Sequence, residues 1–419
     1  MIYLNIMRRR IIAGIVLMVL VFGYKTLPLN AQEPSSIPTY TLNQLIKEAL
    51  KANPDIKEVR EVVEAAKGDE LKARAYPNPS LGLKYTWHTS LGQRDEPFLS
   101  LGQTFLYPGK LASRLHAAEK GIAAAEYLLK DVSLDIVMQV KEAFYSLLLT
   151  EENLRVAEKD AGFLSDLEDI AKKRFNTGDV AEFDVIQAYT EAERARAAVE
   201  REQADMRKAV SAINTLLGHR PEAPLRVIGE LKAASEPFTI EDLRQAIEHV
   251  PSLEEAAARI AQTESNLAYA RYSRYPDFTL SIFHGAQPGD RTTGLGLSVP
   301  LPIWDRKEGE IKKAEAEHKK AVLALKALKA QLNLKLETAW QDYLISKRQV
   351  KLFQEGILRS ASEGMRVARI GYKEGAIGLM DLLMARDRYL KTIKEYNHAL
   401  FELRRAEAEL SRLTGRLPE

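Results

Sequence analysis

The sequence predicts a mainly α-helical protein with a small β part, in which long helical hairpins are duplicated in tandem. The first observation is a repeated turn, since "RFNTGDVAEFDVIQA" at 174–188 returns within "IGYKEGAIGLMDLLMA" at 370–385, where the matching residues, such as Gly178 and Gly375, are 197 residues apart. The second is a pair of proline-free stretches, 111–176 and 308–372, with apolar residues at three- and four-residue steps. The third is a set of four short stretches in which apolar residues alternate with small or polar ones. Self-similarity at a fixed spacing sets the architecture before local detail does.

Residues 1–31 have the layout of a secretory signal peptide. Three consecutive arginines at 8–10 precede an apolar run at 11–23, and the segment ends with the small residue Ala31. The apolar run is shorter than the roughly 20 residues that a membrane-spanning helix needs. We therefore predict export, with cleavage after Ala31.

The composition argues against several classes of protein. The chain has 60 Lys and Arg against 58 Asp and Glu, and the predicted signal peptide alone holds four of the basic residues. A mature chain of this kind lacks the clustered basic surface of a nucleic-acid-binding protein, so we expect no nucleic-acid partner. The chain has no cysteine, which excludes disulfides and acylation of an N-terminal cysteine.

Each repeat contains the same order of elements. We place the first repeat at 32–222 and the second at 223–419, where they end in the related motifs "LLGHRPE" and "LTGRLPE", and we expect the two to form one structural unit. A helix at about 56–75 or 252–274 precedes two strands, and a long helix then folds back on a shorter one. At 1.5 Å per residue the long helix reaches about 100 Å, too long for a compact globule. The pattern predicts coiled-coil-like hairpins in which the shorter helices stack end to end.

The alternating stretches predict four strands, each with one apolar face. Their lengths of about ten residues are those that a tilted strand needs to cross a bilayer. Four strands cannot close a membrane barrel, and an open edge is not tolerated in lipid, so the barrel has to be shared between chains. We place the strands at about 79–89, 98–106, 277–284 and 293–301. Aromatic residues at one end of them predict a membrane-interface girdle: Tyr76, Tyr107, Tyr275 and Trp304.

Over essentially the whole mature chain, the sequence resembles the TolC family of outer membrane efflux proteins. The resemblance rests on the duplication, on the order of elements and on the two tips, 175–184 and 372–381. It implies a homotrimer in the outer membrane, with a shared transmembrane β-barrel of about 12 strands and a helical α-barrel that crosses the periplasm. Such a duct receives its substrate from an inner-membrane resistance-nodulation-division pump through a periplasmic adaptor, and it contacts outer-membrane lipid.

A narrower resemblance concerns the cargo. The stretches "YPNPSLGL" at 76–83 and "LPIWDRKEGEI" at 301–311 are similar to the CzcC-like cation-efflux branch, which implies heavy-metal cations as substrates. A duct for drug efflux or for type I protein secretion stays open as an alternative. A structural trimeric coiled-coil surface protein is disfavoured, because such a protein does not need four strands of bilayer length.

The resemblance also assigns roles to residues of the repeated turn. Relatives close the periplasmic end with an acidic ring and with contacts between hairpins, and by position Asp381 would join the ring while Asp184 and Tyr372 would form a latch. This sequence has Met384 and Ile377 where the best-known pattern has a second acid and an arginine, so we expect a single-acid ring and a weaker latch. The residues expected at the adaptor-contacting tips are Gly178, Gly375, Thr177 and Glu374.

A simpler interpretation of the two acids needs no gate. Asp184 and Asp381 lie in the predicted first turns of helices, where the helix dipole favours a carboxylate by about 0.3–1 kcal/mol. Both interpretations therefore stay open at this stage.

The sequence points to no catalytic residue, cofactor or metal site. The seven histidines are scattered, with no pair at the i, i+4 spacing of a helical metal site. Neither a phosphate-binding loop nor a nucleophile motif is present. Met380 and Met384 lie one helical turn apart, and we interpret them as packing residues rather than as ligands of a soft metal.

Overall fold

The computed structural model describes residues 37–87, 96–233, 238–287 and 290–415. Residues from Thr39 onward form one compact unit. The predicted signal peptide lies outside the described residues, so the model does not bear on it.

The first repeat begins with a short strand and two capped helices and continues into the longest helix of the described chain. Thr41 and Gln44 form a capping box, and proline occupies the first turn of two helices, where its missing N–H is not needed. The elements are β1 (Thr39–Tyr40), α1 (Leu42–Ala52), α2 (Pro54–Arg74), β2 (Ser80–Thr86), β3 (Glu96–Phe105), α3 (Pro108–Asn176) and α4 (Glu182–Leu216).

The second repeat follows the same order, with an added 3₁₀ turn after its first helix and one interruption in its long helix. The elements are β4 (Arg226–Val227), α5 (Ile240–Ala246), a 3₁₀ turn (Ile247–His249), α6 (Pro251–Tyr272), β5 (Phe278–Gln287), β6 (Asp290–Ser298), α7 (Glu308–Leu352), α8 (Leu358–Lys373) and α9 (Leu379–Leu413). A π-helical turn at Phe353–Ile357 separates α7 from α8. The sequence predicts one continuous helix here, since no proline marks the break.

Contacts around this π-helical turn account for its position. The Phe353 ring lies 5.9 Å from the Tyr396 ring, and Gln354 Nε2 donates to Tyr396 Oη over 3.2 Å. Gly356 adds a residue of low helix propensity. The wider turn therefore directs two side chains toward α9. At the corresponding position of the first repeat, the long helix α3 is unbroken.

The shorter helices meet end to end, as the sequence predicts. Asn53 Oδ1 accepts from the N–H of Asp55 at the start of α2, and Asn53 Nδ2 donates over 3.0 Å to the Leu216 carbonyl at the end of α4. One buried side chain thus satisfies polar groups of two helix ends. Both α2 and α4 pack against α3.

The four longer strands form one antiparallel sheet in the order β2-β3-β5-β6. The repeats join at its centre, where Leu101 pairs with Ile282 and Phe105 with Phe278. The strands β2 and β6 are its two edges. One face carries the large apolar side chains, which are mostly exposed in the single chain, as with Leu83 at 80%. Small residues are frequent on the other face, as the alternation predicts.

Three clusters of buried apolar residues hold the described helices together. One lies in the first repeat around Ile136, Leu147 and Ile213, and a second lies in the second repeat around Tyr343 and Leu410. The third, at the ends of both hairpins, contains residues of both repeats. Among the helices of the described chain, none combines the length and the hydropathy of a membrane-spanning helix.

Candidate gate at the hairpin tips

The two helical hairpins end in turns of the same geometry. In the first, Gly178 N–H donates to Phe175 O and Asp179 N–H donates to Arg174 O, over 3.0 and 2.8 Å. In the second, Gly375 N–H donates to Tyr372 O over 3.2 Å. The glycines have φ of +82° and +74°, a conformation that only glycine adopts without a steric penalty. The repeated glycine is therefore required by the turn itself.

Close packing between the two hairpins forms what we call the tip cluster. Three alanines of α4 have almost no exposed surface, and α4 packs closely against α3, the helix that α9 also contacts. Leucines from both repeats fill the space between the helices. The cluster consists of Leu164, Leu167, Ala171, Ala188, Ala192, Ala195, Tyr372, Leu379, Leu382 and Leu383.

Tyr372 contacts the first hairpin through its ring. The guanidinium of Arg174 lies 4.8 Å from the ring centroid, and Arg174 Nη2 donates to the Lys373 carbonyl over 2.9 Å. Burial raises the pKa of the Tyr372 hydroxyl, Arg174 opposes this effect, and the negative charge of Asp184 adds to it. The hydroxyl is buried and has no hydrogen-bond partner among the described residues. Within one chain, the contact at this point is therefore the stacked pair of Arg174 and Tyr372.

The other residues predicted at the tips lie at helix ends and near the surface. Asp184 is half-buried in the first turn of α4, while Asp381 is exposed in the first turn of α9. Asp381 Oδ2 accepts from Gly378 N–H over 3.3 Å, so it acts as a helix-start carboxylate. Thr177 Oγ1 donates to the Arg174 carbonyl over 2.9 Å, and Glu374 is exposed.

Sequence reasoning missed a buried charged group near the tips, Arg386 of α9. Its Nε donates to Asp160 Oδ1 over 2.7 Å, and its Nη2 contacts the other oxygen of the same carboxylate. Its Nη1 lies 3.4 Å from Glu191 and 2.9 Å from Asp387. Burial alone would lower the pKa of Arg386, but the hydrogen bond and charge of Asp160, with the other acids, raise it. We call these four residues the Arg386 network.

Further polar contacts connect α9 to the first repeat away from the tip. Lys394 Nζ lies 2.7 Å from Glu202 of α4, and Arg412 Nε lies 2.5 Å from Asp135 of α3. These pairs, with the Arg386 network, are spread along most of α9. The last helix of the second repeat therefore packs against the first repeat along most of its length.

The predicted interface aromatics lie where the strands meet the helices. The rings of Tyr107 and Tyr275 stack with centroids 4.7 Å apart at the central joint of the sheet. Tyr76 precedes the edge strand β2, and Trp304 follows the edge strand β6 with 93% of its surface exposed. The central pair is thus complete within one chain, whereas the other two aromatic residues lie at opposite edges.

The described residues contain no group of three or more His, Cys, Asp or Glu side chains placed to hold a metal ion. Met380 and Met384 are 52% and 49% exposed. Neither fills a gap in the core of a single chain, so our interpretation of them as core-packing residues is wrong at that level. The structure gives no reason to call them ligands either.

Comparisons with known proteins find the same architecture elsewhere. A family model described as "Outer membrane efflux protein" matches residues 45–219 and again 243–416. The cobalt-zinc-cadmium resistance protein CzcC of Cupriavidus metallidurans is 24% identical over 90% of each chain. The solved outer-membrane channel OprN is 21% identical over 89% of each chain, with a TM-score of 0.77. The solved channel CusC is 18% identical over 89% of this chain and 91% of its own, with a TM-score of 0.76. The predicted fold class is confirmed by these likenesses.

Proposed function

Because the chain belongs to the outer membrane efflux protein family, whose model matches both repeats, we propose that three copies form one exit duct for an inner-membrane pump and its periplasmic adaptor. The chain is an outer-membrane efflux channel with a large helical extension in the periplasm. The edge strands support assembly from several copies, since unpaired strand edges are not tolerated in lipid. Each copy would contribute the repeats 32–222 and 223–419.

Heavy-metal cations are the proposed cargo. The support is the similarity to CzcC, whose name describes resistance to cobalt, zinc and cadmium, over 90% of both chains. The exposed carboxylate of Asp381 at the start of α9 is compatible with a cationic cargo. Cargo choice in such a system would still depend mainly on the pump.

The hairpin tips are the proposed gate. Three copies of Asp381 around the trimer axis would form a ring of like charge, and the stacked pair of Arg174 and Tyr372, with Asp184 beside it, would hold the two hairpins of each chain together. The observation that supports this most is the tip cluster, since it unites both hairpins of one chain at their ends. Two turns per chain would present six similar tips to an adaptor, with Gly178, Gly375, Thr177 and Glu374 at the contact.

A deletion strain tests the proposed cargo. We expect it to become sensitive to zinc, cobalt or cadmium and to recover when the wild-type gene is restored. A panel of organic drugs is tested in parallel. Sensitivity to the drugs alone would overturn the proposed metal cargo and would leave the exit duct standing. Native mass spectrometry of the detergent-solubilised protein tests the trimer separately.

A further inference from the structure

Two phenylalanines lie on the face of the sheet that otherwise carries small and polar residues. Because side chains alternate along a strand, Phe98 of β3 shares its face with Ser100, and Phe283 of β5 shares its face with Ser281. The leucines of the same strands lie on the opposite face. In a membrane barrel the leucine-bearing face contacts lipid, so both phenylalanine rings face the lumen, where no lipid covers them.

The two rings form one aromatic surface, which we call the lumen platform. The centroids of Phe98 and Phe283 are 5.2 Å apart, and the ring planes differ by 25°. Each ring covers a glycine of the next strand, since a Cβ added to Gly285 would lie 2.8 Å from the Phe98 ring and one added to Gly294 would lie 2.5 Å from the Phe283 ring. The glycines therefore let the rings lie along the wall of the sheet.

The lumen platform borders a cavity of about 260 Å³. Both rings are only half-buried, so part of each is open to this cavity. The polar side chains around it are one base, one acid and two hydroxyls, from Lys84, Glu96, Thr86 and Thr292. An apolar, partly aromatic lining with a few polar groups is typical of small-molecule sites, whose volumes begin near about 300 Å³.

We propose that the lumen platform binds flat aromatic organic cations inside the channel exit. The proposal rests on the shared barrel of the proposed duct. The face of an aromatic ring is its negative side, and it attracts a weakly hydrated cation within about 6 Å. Since Lys84 and Glu96 offset each other in charge, the rings decide which ligand is preferred. A bound organic cation would obstruct the flow of other ions through the exit.

A hydrated metal ion has little to gain at the same place. The two rings offer it no oxygen, nitrogen or sulfur ligand, and its water shell keeps it away from the ring faces. The described residues contain no group of His, Cys, Asp and Glu side chains placed to hold a metal ion here. The lumen platform is therefore a site for an organic ligand, separate from the proposed passage of metal cations.

The duplication limits the lumen platform to one copy per chain. In the other repeat, the counterpart of Phe98 is Gly294 and the counterpart of Phe283 is Lys84. The joint between two subunits would therefore bring a glycine and a lysine together where the joint within a chain has two rings. A trimer would carry three lumen platforms, each made by β3 and β5 of a single chain.

Block of single-channel current by ethidium, a flat aromatic cation, tests the lumen platform. Phe98→Leu combined with Phe283→Leu keeps apolar side chains and removes both rings. We expect the ethidium concentration for half block to rise about tenfold, equivalent to about 1.4 kcal/mol. Any block by Zn²⁺ should stay unchanged, because the rings supply no metal ligand.

A second pair of phenylalanines supplies the matched control. Phe105 and Phe278 lie on the same two strands, with centroids also 5.2 Å apart and ring planes that differ by 17°, but they lie on the lipid-facing side. Phe105→Leu combined with Phe278→Leu should leave the half-blocking concentration of ethidium as in the wild type. A general effect of lost aromatic residues on the barrel would change both double variants alike.

The single variant Phe98→Trp covers the case in which the double variant of the lumen platform does not assemble. Tryptophan is the best aromatic partner of a cation, so ethidium should block this variant at a lower concentration. Unchanged block in Phe98→Trp would overturn the proposal, and so would equal half-blocking concentrations in the wild type and in the leucine variant of the lumen platform. An equal loss of block in the lipid-facing control would overturn it too. If wild-type trimers carry no current, the proposed duct itself fails.

Discussion

Tyr372 has two parts with different roles, a ring that packs and a hydroxyl that does not bond. The ring lies under Arg174 within the tip cluster, while the buried hydroxyl has no hydrogen-bond partner among the described residues. Removing an unsatisfied buried hydroxyl is close to neutral or stabilising. A cation over an aromatic ring contributes about 0.5–2 kcal/mol. The contact between the guanidinium and the ring should therefore contribute more to the stability of the tip than the Tyr372 hydroxyl does.

The first prediction follows from this difference. We expect Tyr372→Phe to leave channel conductance and trimer heat resistance unchanged, whereas Arg174→Met should weaken the tip by about 0.5–2 kcal/mol and raise the open time. Single-channel recording and thermal denaturation of purified trimers measure both quantities. An open time that rises in Tyr372→Phe would show that the hydroxyl bonds across a subunit boundary.

The second prediction concerns the charge of Asp381. Three copies of this exposed carboxylate in a narrow ring should attract cations, so Asp381→Lys should shift the channel toward anions. Asp381→Asn should lower the cation preference while it keeps an acceptor for the Gly378 N–H. The measurement is the reversal potential in asymmetric salt.

A charge reversal elsewhere at the tip supplies the control for Asp381. Asp179 is an exposed acid in the turn of the first hairpin, and Asp179→Lys should change the reversal potential less than Asp381→Lys does. An unchanged reversal potential in Asp381→Lys would leave Asp381 as a helix-start carboxylate only.

Arg386 shows why part of the candidate site could not be predicted from the sequence. It stands beside Asp387 and Arg388 on a long helix, a pattern typical of a solvated surface. Its partners lie 226 and 195 residues away along the chain. The repeated turns were predictable because their glycines and helix-start acids are local signals. A buried ion pair between repeats depends on tertiary packing, which local patterns do not encode.

At the scale of elements, the helices and strands could be predicted from the periodicity of the apolar residues in the sequence. The proline-free stretch of the first repeat is the single helix α3, and the alternating stretches are the strands of the sheet. The π-helical turn at Phe353–Ile357 did not follow, because its cause is the contact with Tyr396 on another helix. Gly356 alone is too weak a signal, since Gly162 and Gly364 lie in unbroken α-helix.

The third prediction tests the turn at the first tip. A side chain at Gly178 would meet no neighbour, but φ of +82° is strained for any residue other than glycine. Gly178→Ala should therefore destabilise the hairpin by about 1–2 kcal/mol. Gly162 also has open space and lies within α3, so Gly162→Ala should stabilise the same hairpin by about 0.5–1 kcal/mol. Hydrogen exchange of the α3 and α4 amides near the tip measures both, and equal effects would contradict the role of the backbone conformation.

At the scale of the whole molecule, the strand pairing between the two repeats predicts how strands of neighbouring subunits should pair. Within one chain, β3 pairs with β5, and Gly102 lies opposite Ser281. The strand β6 is the second-repeat counterpart of β3, and β2 is the first-repeat counterpart of β5. In a closed ring, β6 of one subunit should therefore meet β2 of the next in the way that β3 meets β5, which leaves no open edge.

The duplication also sets which residues should face each other at that joint. The segment "FLSLG" at 98–102 corresponds to "GLGLS" at 294–298, so Ser298 takes the place of Gly102. This alignment keeps the leucines of both strands on the apolar face. An alignment shifted by one residue would turn one set of leucines to the opposite face.

The other strand of the joint is aligned in the same way. The segment "LGL" at 81–83 corresponds to "LSI" at 280–282, so Gly82 takes the place of Ser281. Since Gly102 and Ser281 are opposite each other within the chain, Ser298 of one subunit should lie opposite Gly82 of the next.

The fourth prediction is a cysteine cross-link at this joint. The chain has no cysteine of its own, so a variant that combines Ser298→Cys with Gly82→Cys should form covalent dimers and trimers on oxidation, seen on a denaturing gel without reductant. The link has to join two chains, because β2 and β6 are opposite edges of one sheet.

Ser298→Cys with Lys84→Cys is the matched control, in which the side chains lie about 7–8 Å apart, beyond the reach of a disulfide. Stronger linking in the control would mean a register shifted by two residues. Trimers on native gels with no link in either variant would mean that the subunits associate through other strands.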